Sequence, residues 1–450
     1  MRLVWPLALG MLNNAVLQFT DGVFLARESA ESLSASLPAS MLSLVATCFF
    51  QSVVAYSGTF AAQYHGAGNA AGVRASYRAG TLTALAAGVL CAATIPAGLA
   101  LAPLASPNPE IVSRARTYYT IVSLGAVAIC GQTAAAALFT GTGRTRLVFR
   151  ANLAGNAFNI ALDPVLIFGL FGMPRLGIAG AAVATVAAMV LQWAMLAAAA
   201  RREMTRRLVP KPLRRVEDNA PCQTGAPRVP VAPLVGRILR YGVPSGAYSV
   251  LNVLSFAIFV FATGRVGDEE LALSNACFKV NYLLIAPMEG FALGAATLVG
   301  QAQGRGDHDG AHRDAMRCLA LGVALVAALS ALAVAFHRPI LSLFASPGTK
   351  LATFYGKGFL LFLLMAAWQI FDAMDVIVSG ALKGAGDTKF VMWWMVATAF
   401  GLWLPLVWAV SAWRNTMPAL WATMVVYVVV ISAGTLIRWR NGRWRSIRLI

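Results

Sequence analysis

Apolar runs of roughly 20 to 28 residues recur along the entire chain, broken by short polar stretches. A helix of about 20 apolar residues matches the hydrocarbon thickness of a bilayer. Inside lipid no water satisfies backbone N–H and C=O groups, so each run must close its own hydrogen bonds as a helix. Twelve such segments are predicted, over 3–26, 37–62, 79–104, 112–140, 147–171, 177–200, 238–264, 271–299, 315–336, 352–382, 390–411 and 417–437. With 58% hydrophobic and 12% charged residues, the chain departs from a soluble domain, in which roughly a quarter of residues are charged. Most segments are apolar all round rather than amphipathic, which favours lipid over a large soluble core.

The chain also repeats itself. Gln63-Tyr64-His65-Gly66-Ala67-Gly68-Asn69 returns 238 residues on as Gln301-Ala302-Gln303-Gly304-Arg305-Gly306-Asp307. Gly141-Thr142-Gly143-Arg144-Thr145-Arg146 returns 243 on as Gly384-Ala385-Gly386-Asp387-Thr388-Lys389, while Pro6 returns as Pro244 and Asn14 lands on Asn252. Two copies of a six-helix unit are therefore expected: an N-terminal lobe over 1–200 and a C-terminal lobe over 237–450 that ends in a basic tail. The basic, Pro-containing stretch 201–236 reads as a cytoplasmic linker between them. An even number of crossings per copy gives both the same orientation. The expected fold class is all-α integral membrane, with twelve transmembrane helices in two six-helix lobes related by a pseudo-twofold axis along the membrane normal. The Gly-rich turns follow no strand and lack phosphate-loop spacing, so they read as turns between helices.

The net charge of +18 follows the predicted loops. Ten of the 36 Lys and Arg residues fall between 201 and 240, and the alternate loops on the other side keep nine, Arg27, Arg114 and Arg175 among them. This bias places both termini in the cytoplasm of a multi-pass protein of the cell membrane, the inner one if the source is Gram-negative. The basic charge thus reports topology and attraction to anionic lipid, not a nucleic-acid partner. Six cysteines are scattered without zinc or disulfide spacing. Residues 1–26 contain Asn13, Asn14 and Asp21 and lack a small-x-small cleavage site, so they are expected to span rather than be cleaved.

Ionisable groups inside a spanning helix are costly, about 2.5–3.5 kcal/mol at its centre, and so mark functional candidates. Asp21 lies in the first helix. The fifth carries Asn152, Asn156, Asn159 and Asp163 at spacings of four, three and four, all on one face, with Pro164 next in line. Pro164 would free carbonyl oxygens in the preceding turn. The tenth carries Gln369, Asp372, Asp375 and Ser379, and the eighth carries Lys279 and Glu289, for which pairing of Lys279 with Asp372 or Asp375 is the simplest expectation. Amides in membrane helices commonly serve only to bond neighbouring helices, so Asn152 alone carries little weight.

Ordered motifs over nearly the whole chain resemble the multidrug and toxic compound extrusion (MATE) transporters. They are Phe19-Thr20-Asp21-Gly22-Val23-Phe24, the two Gly-rich repeats, Asn159-Ile160-Ala161-Leu162-Asp163-Pro164, Gly177 to Thr185, and Phe371-Asp372-Ala373-Met374 continuing to Thr388. The resemblance implies exchange of organic, often cationic, compounds for H⁺ or Na⁺. It also implies a cation-coupling set in the first lobe at Asp21, Asn159, Asp163 and Thr185, whose oxygens would also suit Na⁺. Its second-lobe counterpart matches at Asp372, but Asn252 stands where a Glu belongs, Trp368 replaces a frequent Tyr, and Asp375 is an additional acid.

The expected function is secondary active multidrug export by alternating access. Coupling is to H⁺ or Na⁺ with no cofactor, and the chain is expected to act as a monomer on small, cationic organic substrates without being an enzyme. Rival readings are a lipid-linked oligosaccharide flippase, which would want a basic cavity, an integral-membrane transferase or protease, which would want a metal or nucleophile cluster that is not visible, and a channel or receptor, which the six-plus-six repeat disfavours.

Overall fold

The computed structural model describes residues 3–105, 108–205, 229–264, 266, 268–342, 351–414 and 416–450. Positions 206–228 of the expected linker, Cys222 included, lie outside the described residues. Among the described residues the chain makes twelve helical passages and no strand. In the first half they are α1 (Val4–Glu28), α2 (30–66), α3 (70–101), α4 (109–141), α5 (Thr145–Phe168) and α6 (Ile178–Thr205). In the second half they are α7 (Val231–Thr263), α8 (Asp268–Gly304), α9 (His308–Ala335), α10 (Leu351–Ala385), α11 (388–413) and α12 (Met417–Arg440). Passages α3 and α4 bend by 41° and 49° at short breaks.

Several helices extend past the predicted apolar runs; α2 begins at Ala30 rather than 37 and α3 at Ala70 rather than 79. Water satisfies side chains beyond the hydrocarbon, so helix can continue where hydropathy falls. Ser29 starts α2 by accepting from the Ser32 amide at 3.0 Å, and Asn69 starts α3 by accepting from Gly72 at 2.8 Å. By length and hydropathy ten of the twelve passages qualify as spans, counting each bent pair once; α1 and α5 do not. Those two carry Asp21 and the Asn152–Asp163 column.

The sequence repeat is a repeat of one helix ending. Gly68, Gly143, Gly306 and Gly386 all hold φ between +72° and +102°. In each case the next residue donates its N–H back across the last turn: Asn69 to Tyr64, Arg144 to Phe139, Asp307 to Ala302 and Asp387 to Leu382, at 2.7–2.9 Å. This is the Schellman closure, which needs a left-handed residue that glycine supplies without Cβ strain.

Contacts divide the chain into two units. One contains Met1–Leu12, Val250–Val299 and His308–Arg448; the other contains Asn13–Ser249, Gly300–Asp307 and Leu449–Ile450. Both α1 and α7 therefore change unit along their length, after Leu12 and after Ser249, at positions closely related by the internal repeat. In the second-named unit, a Cβ on Gly66 would overlap the Gln301 carbonyl, and a Cβ on Gly304 would overlap the Gln63 carbonyl. Gln301 Nε2 donates to the Gly141 carbonyl at 2.7 Å, and Gln63 Nε2 to Gln303 Oε1 at 3.3 Å. The ends of α2 and α8 thus cross backbone to backbone, each through its glycine, with repeat-related residues exchanging roles.

Candidate ion-coupling site

The polar face expected on α5 is present and buried. Asn156, Asn159 and Asp163 are at most 2% exposed, because their 3.6-residue spacing turns them all toward α1 and α6. With the Asn159 amide oriented to satisfy its neighbours, its nitrogen donates to Asp21 Oδ1 (3.3 Å) and Asp163 Oδ2 (3.2 Å). Its oxygen then accepts from the Thr185 backbone N–H (3.1 Å). The Asp21 and Asp163 carboxyl groups are within hydrogen-bonding reach of each other. An ionised carboxylate only accepts, so such a bond requires one proton on the pair. Thr185 Oγ1 donates to the Ala181 carbonyl at 2.9 Å, so its oxygen otherwise serves as an acceptor.

Buried Asp163 Oδ1 has no hydrogen-bond partner. An orphaned carboxylate oxygen in a site built from two acids, an amide and a hydroxyl fits a small cation or a proton, since both supply the missing positive charge. The structure thus brings Asp21, Asn159, Asp163 and Thr185 together from α1, α5 and α6.

Tyr118 of α4 was not anticipated. Its hydroxyl lies within reach of Thr185 and Ser40 and feels the charge of both acids. The only sequence signal was a tyrosine pair, Tyr118-Tyr119, inside an apolar run, and nothing local aims it at α1 and α5. A chain of amides continues from the site. Asn156 donates to Asn14 (3.0 Å), Gln192 to Asn156 (3.4 Å) and Gln132 to Gln192 (3.3 Å), linking α1, α4, α5 and α6. Asn152 lies farther along the face, and its side-chain oxygen has no hydrogen-bond partner.

The MatE family model matches residues 6–165 and again 244–409, two copies offset at their start by the 238 residues of the internal repeat. The chain belongs to the MATE family. It is 28% identical over 443 residues to the probable multidrug resistance protein NorM of Rhodopseudomonas palustris, covering 98% of this chain and 90% of that one. It is also 28% identical over 428 residues to the multidrug resistance protein NorM of Burkholderia vietnamiensis, covering 89% and 84%. Among solved structures it resembles an outward-facing multidrug resistance MATE family transporter of the MOP superfamily, with a TM-score of 0.83 at 19% identity, covering 99% and 96%. The eukaryotic MATE transporter AtDTX14 gives 0.81 at 17%, covering 98% and 96%. At these identities the structural likeness establishes the fold.

In this MATE chain the second-half acids gather in the other unit. Asp375 is 3% exposed and accepts from Thr435 (3.0 Å) and Ser379 (3.2 Å). Asp372, one turn before it on α10, interacts with Asp375 and with Glu289 of α8. Lys383 is the cation acting on Glu289 and Asp375, whereas Lys279 is exposed on α8. Glu289, not Asn252, supplies the acidic neighbour of Asp372. Asn252 is exposed on α7. Trp368 is buried edge-on to Trp421 with ring centroids 6.0 Å apart, and Trp421 stacks on Phe278 at 5.0 Å. The sequence could not reveal the Glu289 and Lys383 partnership, because the residues are far apart in the chain and each alone reads as an isolated charge.

Proposed function

We propose that this MATE transporter is a secondary active multidrug exporter that exchanges small organic cations for H⁺ or Na⁺ across the cell membrane. Both termini lie in the cytoplasm and the working unit is one chain. The convergence of Asp21, Asn159, Asp163 and Thr185 on one buried site carries this reading. Two carboxyl groups within hydrogen-bonding reach of each other can take up a proton or a metal cation at little geometric cost. Either event changes the charge buried between α1 and α5, and a buried charge change biases which packing of the helices is favoured. The membrane potential contributes about 2.3 kcal/mol per charge per 100 mV to the exchange.

The acids and rings of the unit that holds α10 suit a cationic substrate, with Asp372 opposing its charge and Trp368 belonging to the surrounding aromatic cluster. An oligosaccharide flippase would need a basic surface for diphosphate, but three acids outnumber one lysine here. A transferase would need a metal or nucleophile cluster. Among the described residues no three His, Cys, Asp or Glu side chains are grouped to hold a metal.

The deciding measurement is efflux of a fluorescent cation from proteoliposomes under a proton gradient or a sodium gradient imposed separately. One gradient is expected to drive export and thereby identify the ion; export indifferent to both defeats the reading. Asp372→Asn is expected to raise KM for a cationic dye about tenfold while leaving a neutral substrate within twofold. Equal effects on both substrates would remove Asp372 from charge recognition.

A further inference from the structure

Glu28 lies seven residues beyond Asp21 on the same face of α1, two turns away at its end. Its side chain is 9% exposed and is held from three directions. Ser29 Oγ, at the start of α2, donates to Oε2 at 2.9 Å. Arg114 of α4 stands 3.6 Å from Oε2. Arg175, just before α6, donates to Oε1 at 3.1 Å and to the Glu28 carbonyl at 3.2 Å. Arg114 also donates to Ser29 (3.1 Å), Ser32 (2.5 Å) and Glu110 (2.7 Å).

The carboxylate lies against the residue that precedes α6, where a Cβ on Gly177 would sit 3.4 Å from Oε1. The segment before α6 is in turn tied to α5, with Leu176 donating to Leu166 (3.0 Å) and Gly177 to Ile167 (3.3 Å). A 280 Å³ cavity, lined by Glu28, Arg114, Thr117, Arg175 and Gly177 among others, opens beside the carboxylate. The cluster therefore joins α1, α2, α4, α5 and α6 at one end, two turns from the acids.

We propose that Glu28, with Arg114 and Arg175, is a positioning clasp that fixes the register of α1 against α4 and α6, so that Asp21 meets Asn159 and Asp163. This inference rests on the reading of that site as the coupling site. Glu28 touches neither ion nor substrate; it acts through Asp21. One helical residue rises 1.5 Å, so a slip of α1 by a single position would break the Asn159 bond to Asp21 while leaving the Asn159 bond to Asp163, internal to α5, in place.

The clasp holds its charge. Burial alone would push the Glu28 carboxyl up, but the Ser32 and Ser29 hydroxyls and the Arg175 and Arg114 charges outweigh it and hold the group below its ordinary value. A depressed carboxyl contributes its stabilisation above the ordinary carboxylate value and loses it only as pH falls through the lower folded value. Arg114, Arg175 and Glu110 are the charged groups facing Glu28, and Asp163 and Tyr118 are those facing Asp21. The clasp therefore stays charged at neutral pH, and a pH dependence of transport there does not come from Glu28.

The test is dye efflux from proteoliposomes holding the full chain, over graded pH and Na⁺, for Glu28→Gln, Glu28→Asp, Arg175→Ala and Asp21→Asn. Glu28→Gln and Arg175→Ala are expected to raise the half-saturating concentration of the coupling cation about tenfold, as loss of a supporting partner does elsewhere, with substrate KM within twofold. Glu28→Asp should restore most of the loss. Arg175 is 59% exposed, so its replacement leaves the fold intact even if Glu28→Gln does not. Unchanged cation dependence in Arg175→Ala and Glu28→Gln, with Asp21→Asn inactive, removes the clasp alone. A parallel decline of all parameters with melting temperature makes the clasp merely structural and also overturns it. Normal coupling in Asp21→Asn defeats the coupling-site reading beneath it.

Discussion

Asp21→Asn is expected to abolish gradient-driven export, lowering it by about a hundredfold or more, while substrate still binds. Asparagine keeps the size and one oxygen but cannot take up or release a proton, and it removes the charge that a cation would neutralise. Asp163→Asn should do the same. The double variant should be no worse than either single one, because groups that act as a unit lose their function together. Binding of a fluorescent cation to the purified variants separates lost coupling from lost folding. Export that persists in Asp21→Asn at a tenth of the normal rate or more would show that the charge between α1 and α5 does not drive the cycle.

The second large effect lies where α2 and α8 cross. Gly66→Val places a branched side chain where the Gln301 carbonyl already sits, and Gly304→Val does the same at Gln63. Backbone cannot swing aside as a flexible side chain can, so the two passages must separate. Overpacking of this kind costs about 1–3 kcal/mol. It would also strain the Gln301 bond to the Gly141 carbonyl. Both variants should lose transport and melt at a lower temperature, and the two effects should match because the contacts are related by the repeat. Gly236→Ala, where nothing lies within 4 Å of the added carbon, is the control and should be neutral or slightly stabilising. Full activity in Gly66→Val would show that the crossing is dispensable.

The helical passages were legible because lipid leaves the backbone few options. An apolar run of sufficient length must be a helix, and the positions of Gly68, Gly143, Gly306 and Gly386 announce where helices stop. The polar face of α5 was legible for a similar reason: a spacing of four, three and four fixes a direction whatever the helix packs against. Helix ends were less so, as α2 and α3 show, since hydropathy marks the lipid boundary rather than the last helical hydrogen bond. Tyr118, Glu289, Lys383 and the Glu28 cluster each depend on a partner dozens of residues away, and no local spacing encodes that distance.

Chain chemistry by itself thus determined that this protein is helical, duplicated and membrane-spanning, and that acids sit inside its helices at a cost in free energy. Packing alone decided which acids meet. Asp21 and Asp163 come from different helices, and only the rotation and depth of α1 against α5 bring their carboxyl groups within hydrogen-bonding reach. Helix periodicity fixes the direction of a side chain about its own axis, but the relative register of two helices is set by everything that packs between them.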